Sequence, residues 1–329
     1  MIMKKKHYTL NKYLFIELLA TIALIVLTLF FYFFHIGHRT PIKIGATYMT
    51  MNNEFYPILN EQIANKINNK NDLLLSRDPA LNQRKQIEEI HSFIQKGVKA
   101  IIINPVNGKS SQLNKALKEA KEAGIKIIVV DSPIKNSKYI DCTIESDNYH
   151  AGQLDAKYLL SQRKHGKILL LEHKSAISGV ERIKGFTDTI HKSKYAKNFK
   201  IVKRLNTYGQ SETSLPLVTK TIKEGTSFNI IMSLNDRAAI GALAALDSTK
   251  YPHRVFVYSV DGSENMKKMF SINPNIKATV AQSPLKMGKV TTKVVYRLIE
   301  NKKVPKKIII PVDLINQKNL TQHNISGWQ

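Results

Sequence analysis

Hydrophobic positions along this chain follow two patterns, one near the N-terminus and another everywhere else. From Tyr13 to Phe34 the chain reads YLFIELLATIALIVLTLFFYFF, with Glu17 as the only charge. Twenty-two residues at about 1.5 Å each span roughly 33 Å, enough to cross a hydrocarbon core of about 30 Å. A secretory signal peptide has a shorter apolar region and a small-residue cleavage site behind it. Here the run ends in Phe30, Phe31, Tyr32, Phe33 and Phe34, then His35, with no A-x-A pattern. No cysteine stands nearby to carry a lipid. The pattern therefore predicts an uncleaved transmembrane anchor over residues 13–36. The basic tail 1–12, with Lys4, Lys5, Lys6 and Lys12, belongs in the cytoplasm. Arg39 and Lys43 on the far side reduce that asymmetry. The expectation is a single-pass protein of the cell membrane whose remaining chain is extracytoplasmic.

Beyond Pro41, short apolar runs alternate with longer helical patterns. The runs are KIGATYM (43–49), DLLLS (72–76), AIIINP (100–105), KIIVVD (126–131), KILLLEH (167–173), FKIVKRL (199–205), NIIMSL (229–234), RVFVYSV (254–260) and IKATVAQ (276–282). Their Ile, Val and Leu content is nearly continuous, which marks strands buried on both faces of a parallel sheet. Between them lie helices such as 111–124, closed by Gly124 as C-cap. Another is 235–247, opened by Asn235 or Asp236 as N-cap. Sustained alternation of this kind predicts a doubly wound α/β fold. The units are too many for one sheet. Around Glu145–Asn148 a strand passes into a helix, which predicts two α/β lobes joined there with a ligand cleft between them.

Composition narrows the class. The net charge is +25, but lysine is spread along the whole chain and no block of five basic residues occurs. That argues against nucleic acid as a partner. The only cysteine is Cys142, so no intramolecular disulfide forms. The ten histidines include no H-E-x-x-H, and His35 with His38 flanks the apolar run, so no metal is expected. Neither a Walker loop nor G-x-G-x-x-G is present, so no nucleotide cofactor is expected despite the α/β pattern. Ser132–Lys135 and Ser146–Asn148 spell S-x-x-K and S-D-N, but they lie too close together, and no K-T-G exists.

Open α/β sheets bind ligands at the carboxyl ends of their strands. Those positions hold Asn52, Asn53, Phe55 and Tyr56, then Asn104, Asp131, Arg182, Tyr208, Asn235, Asp261 and Gln282. Amides, two carboxylates, one guanidinium and aromatics suit a neutral polyhydroxylated ligand. Carboxylates accept from hydroxyls, arginine donates in a fixed fork, and rings cover the C–H face of a sugar. No nucleophile has an adjacent base, so binding rather than catalysis is expected. Each position also has a bland reading. Asn52 and Asn53 can form a turn, Asp131 and Asp261 can cap helices, Phe55 and Tyr56 can be core, and Asn235 can be an N-cap alone.

The stretches TMNNEFYP (50–57), IIINPVN (101–107), VVDSP (129–133), ESDN (145–148), ERIKGF (181–186), LNDRAAIGAL (234–243), VDGSE (260–264) and ATVAQSP (278–284) are similar to those of the ribose-type periplasmic sugar-binding proteins, in that family's order and spacing. The resemblance implies the periplasmic binding protein type I fold, two Rossmann-like lobes hinged by three crossovers. These would lie near Ser146–Asp147, Gln282–Ser283 and Asp313–Leu314. The N-terminal lobe is then 42–146 plus 283–313, and the C-terminal lobe 147–282 plus 314–329. Carried over residue by residue, sugar contacts fall on Asn53, Phe55, Tyr56, Asn104, Asp131, Arg182, Tyr208, Asn235, Asp261 and Gln282. The implied ligand is a monosaccharide-sized polyol, and the implied partner an ABC permease or a sensor histidine kinase. Two departures bear on specificity. Ser132 follows Asp131 where the ribose binders have arginine, and Met49 stands where they carry a small polar residue. A different sugar, a sugar alcohol or a furanone-type signal is therefore an alternative to ribose. Transcription regulators share the sensor fold, but the space for their DNA-binding domain is taken here by the apolar run.

Overall fold

The structure, a computed structural model, describes residues 3–32, 40–135, 138–270 and 272–328. Two units make up the chain, residues 1–42 and 43–329. In the first, helix α1 runs from Met3 to Phe31. Residues 3–12, within the basic tail, form the start of this helix. Its stretch Lys12–Phe31 is long and apolar enough to cross a membrane. The end of the expected anchor, residues 33–36, lies outside the described residues, as do His35, His38 and Arg39.

The second unit holds two six-stranded sheets. Strands β1 (Lys43–Thr47), β2 (Leu73–Arg77), β3 (Ala100–Ile103), β4 (Lys126–Val130), β5 (Cys142–Ser146) and β11 (Lys307–Ile310) form the first, in the order β11-β5-β4-β3-β1-β2. All its pairings are parallel. Helices α2 (Phe55–Asn68), α3 (Gln83–Gln95), α4 (Ser111–Glu122) and α10 (Pro284–Ile299) accompany it. The second sheet contains β6 (Gly166–Glu172), β7 (Phe199–Asn206), β8 (Ile230–Ser233), β9 (Phe256–Asp261), β10 (Ile276–Ala281) and β12 (Asp313–Asn316), ordered β12-β10-β9-β8-β6-β7. Here β12 runs antiparallel to β10 and the rest are parallel. Helices α5 (Asn148–Gln162), α6 (Ile177–His191), α7 (Ser211–Lys223), α8 (Asp236–Ser248) and α9 (Glu264–Met269) go with it.

Central strands are buried along their whole length, as β3 and β8 show. The edge strands β2 and β7 are only partly covered, so their continuous apolar runs overstate their burial. Several helix starts carry side-chain caps. Ser110 Oγ accepts from Leu113 N, Asp147 Oδ1 from His150 N, and Asn235 Oδ1 from Ala238 N. Gly124, just past α4, takes a φ of 77° that a side chain resists.

Between the sheets the chain crosses three times. It passes from Ser146, the end of β5, into α5 at Asp147, and from β10 into α10 through Gln282 and Ser283. The third passage falls at Pro311–Val312 and not at Asp313–Leu314, because Asp313 already pairs with Ala281 in the second sheet. Strands β11 and β12 were not among the apolar runs read as strands. Both are four residues long and follow each other too closely to carry a helix between them.

Candidate ligand-binding site

Carboxyl ends of the two sheets face one cavity, and the side chains there come from both lobes. Immediately after β4, Asp131 adopts a φ of 63°; Asp261, closing β9, adopts 144°; Tyr208, beyond β7, adopts 53°. Non-glycine residues rarely take such angles, and strained backbone collects where side chains must be aimed. All three line the same cavity.

Arg182, on α6, stands between the two carboxylates. Its guanidinium lies 3.7 Å from Asp131 Oδ1 and 3.6 Å from Asp261 Oδ1. It also donates from Nε to Asn148 Oδ1 (2.8 Å) and from Nη1 to the carbonyl of Leu234 (3.0 Å). Asp131 Oδ2 accepts from the Tyr56 hydroxyl (3.0 Å) and from Asn104 Nδ2 (3.1 Å). Asp261 Oδ1 accepts from Gln282 Nε2 (2.7 Å). Burial pushes both carboxyls up, against the pull of Arg182, and Asp261 rises further because Asp236 lies near it. Burial and the Asp131 charge hold the Tyr56 hydroxyl protonated as a donor. Gln282 Oε1, at the cavity wall, is buried without a hydrogen-bond partner among the described residues. Unmade bonds of this kind are costly, so a ligand that fills one gains the difference.

Asn53, Phe55, Tyr56, Asp131, Arg182, Tyr208, Asn235, Asp261 and Gln282 all line the cavity. Asn104 does not. It sits behind Asp131, accepting from Met49 N (3.1 Å) and donating to Asp131 Oδ2 (3.1 Å). Ser132 is also absent from the lining. Its Oγ accepts from Ser178 N (3.3 Å), joining the first lobe to the start of α6. Further bonds cross between the lobes: Gly108 N to Ser175 O (3.2 Å), Asn52 Nδ2 to Glu212 Oε1 (3.3 Å) and Asn265 Nδ2 to Glu54 Oε1 (3.3 Å). The lobes are shut, and the free cavity is about 30 Å³. That volume takes about two waters, so a sugar ring enters only when the lobes part.

His173 was not among the expected residues, although it ends the β6 run; the histidine at that strand end was passed over. It lines the cavity, lies edge-on to Tyr208 (5.5 Å between centroids) and meets Ser175 Oγ at 3.0 Å. Burial lowers its pKa to about 4. The unfolded chain, with histidine near 6.5, binds a proton that the folded chain refuses. Stability from this group is therefore present above about pH 6.5 and lost as the pH falls towards 4. His173→Gln is expected to remove that part of the acid sensitivity, up to about 3 kcal/mol. Urea unfolding at stepped pH checks this. Identical curves for both proteins between pH 6.5 and 4 would show that His173 titrates normally.

Two α/β lobes, three chain passages and a polar cleft closed from both sides define a hinged binding protein of the type I periplasmic class. Residues 44–303 match the periplasmic binding protein domain family, and the chain belongs to that family. Among curated relatives, the ribose import binding protein of Bacillus subtilis is 27% identical over 285 residues, covering 86% of this chain and 90% of the relative. A putative rhizopine-binding protein of Rhizobium meliloti is 24% identical over 286 residues, 85% of this chain and 91% of the relative. In fold, the chain is similar to a solute-binding protein of an ABC transporter from Bacillus halodurans with bound myo-inositol. That likeness has a TM-score of 0.78 at 19% identity, covering 87% of this chain and 98% of the other.

Proposed function

We propose that this protein is an extracytoplasmic receptor for a neutral, monosaccharide-sized polyol, held at the cell membrane by its N-terminal helix. The observation that carries the reading is Arg182 fixed between Asp131 and Asp261 in a cavity shared by both lobes. An anionic ligand would face two carboxylates, and an ammonium ligand would face the guanidinium. A hydroxylated neutral ligand meets neither penalty and can engage all three groups. Ribose and myo-inositol, named for the relatives, have that size and character. Ribose itself is disfavoured, since Ser132 replaces a guanidinium and is engaged in the bond to Ser178.

Closure of the lobes over the ligand is the event a partner reads, either an ABC permease or a sensor histidine kinase. The protein-borne helix favours the kinase, because a delivery protein needs only a flexible tether whereas a helix in the bilayer can pack against a partner's helices. Turnover is not part of the function.

Melting of the full chain in detergent, against pentoses, hexoses, their alcohols, inositols and furanones, tests the ligand class. A ligand at a hundred times its dissociation constant stabilises by about 2.7 kcal/mol, a rise of several degrees. One or a few polyols are expected to give that rise. A response confined to amino acids or nucleotides would overturn the reading.

A further inference from the structure

Near its end the chain reaches from the second lobe to the first. After β12 a 3-10 turn, Leu320–Gln322, places Leu320 in the second-lobe core with Ile315 and Met266. The next residues are fastened to α9. Lys267 is fully buried there, and its ammonium donates to the carbonyls of Asn324 and Gly327. Burying an ammonium is costly unless acceptors surround it, so these carbonyls tie the tail firmly to α9. The next residue after Gly327, Trp328, is buried against a side chain of the other lobe. Its ring meets Phe55 edge-on, 5.6 Å between centroids at 75°.

Phe55 is the first residue of α2 and part of the cavity wall. It stands edge-on to Tyr56 (5.4 Å, 86°), and the Tyr56 hydroxyl donates to Asp131. Beside the rings, Asn265 of α9 donates to the Glu54 carboxylate, which again joins the lobes. A continuous set of contacts thus runs from α9 through the tail to the wall of the ligand site. Its last link, Trp328 on Phe55, exists only while the lobes are shut, because the two rings belong to different lobes.

We propose that Trp328 is a positioning residue of the ligand site: pinned through Lys267, it rests on Phe55 when the lobes close, holds Phe55 and Tyr56 in place, and slows ligand release. The inference rests on the reading of the cleft as a polyol site. It adds a strap whose effect is on the lifetime of the closed form and not on the fold.

Trp328 is the only tryptophan in the sequence, so its emission reports this contact without a label. The experiment uses the full chain in detergent and the polyol that raises its melting temperature most. Loading is expected to shift the emission to the blue and to reduce quenching by acrylamide. Trp328→Ala should speed release about three- to tenfold, the scale of one aromatic pair, with the association rate nearly unchanged. Trp328→Phe keeps a ring on Phe55 and should restore slow release. Lys267→Met unpins the tail without touching Phe55. It should also speed release, and it decides the matter if Trp328→Ala melts early. Wild-type release rates in both Trp328→Ala and Lys267→Met would overturn the proposal. If no polyol loads the wild-type chain, the ligand reading fails, and the strap is judged separately. Phe55→Ala should then raise acrylamide quenching of Trp328, and unchanged quenching would overturn the contact itself.

Discussion

Arg182→Ala is expected to abolish polyol binding and to weaken the ligand-free protein at neutral pH. The guanidinium is buried, with contacts to Asp131, Asp261, Asn148 and Leu234. Removing it leaves two buried carboxyls facing each other and two acceptors unpaired. Breaking a buried pair from one side costs roughly 3–5 kcal/mol. The carboxyls respond by rising further, since the one neighbouring cation that lowers them is gone. A carboxyl whose folded pKa lies above its unfolded value loses stability as the pH rises between the two. The deficit of the variant should therefore be largest at neutral pH and shrink as the pH falls towards about 4. Calorimetric titration with the best polyol and urea unfolding at two pH values measure both effects. Wild-type affinity in a folded variant would remove Arg182 from the ligand site.

The second large effect lies outside the cleft. Helices α5 and α6 cross with backbone against backbone at Gly152 and Gly185. A Cβ on Gly152 would overlap the carbonyl of Arg182 and crowd Phe186 N; one on Gly185 would overlap the carbonyl of Tyr149. Backbone cannot yield as a flexible side chain does, so the helices must separate. Gly185→Ala is expected to cost about 3 kcal/mol or more, at the upper end for overpacking. Binding should fall with it, because Asn148 begins α5 and Arg182 rides on α6, and their bond sets where the guanidinium points. A variant that unfolds at the wild-type urea concentration would show that the crossing has slack.

Much of this was legible in the chain because parallel strands announce themselves. Runs such as AIIINP and KIIVVD are buried on both faces, and the polar residue that ends each run lies at the carboxyl edge where the cavity forms. Asn235 caps α8 and also lines the cavity. Position along a strand does not reveal depth, however. Asn104 ends its run as Asp131 does, yet it supports Asp131 from behind. Ser132 looked like a gap in the ligand's surroundings and proved to be a bond between lobes. His173 was overlooked at a strand end, and the link from Lys267 through the tail to Trp328 has no local signature, since its partners are over fifty residues apart in sequence.

The order of segments has a consequence for how the protein is made. The first lobe's sheet ends with β11, and α10 packs on α2, with Gly288 close to Leu59 and Gln62. Both pieces are synthesised after the whole of β6–β10. A growing chain that has emerged through residue 281 holds every strand of the second sheet except β12, while the first lobe still presents an uncovered face of α2 and an unpaired edge at β5. Contacts of that sequence separation form late and slowly, and the exposed strand edge is prone to pair wrongly in the interval. Folding helpers at the site of synthesis and export should therefore engage the first lobe, the earlier made and the later finished.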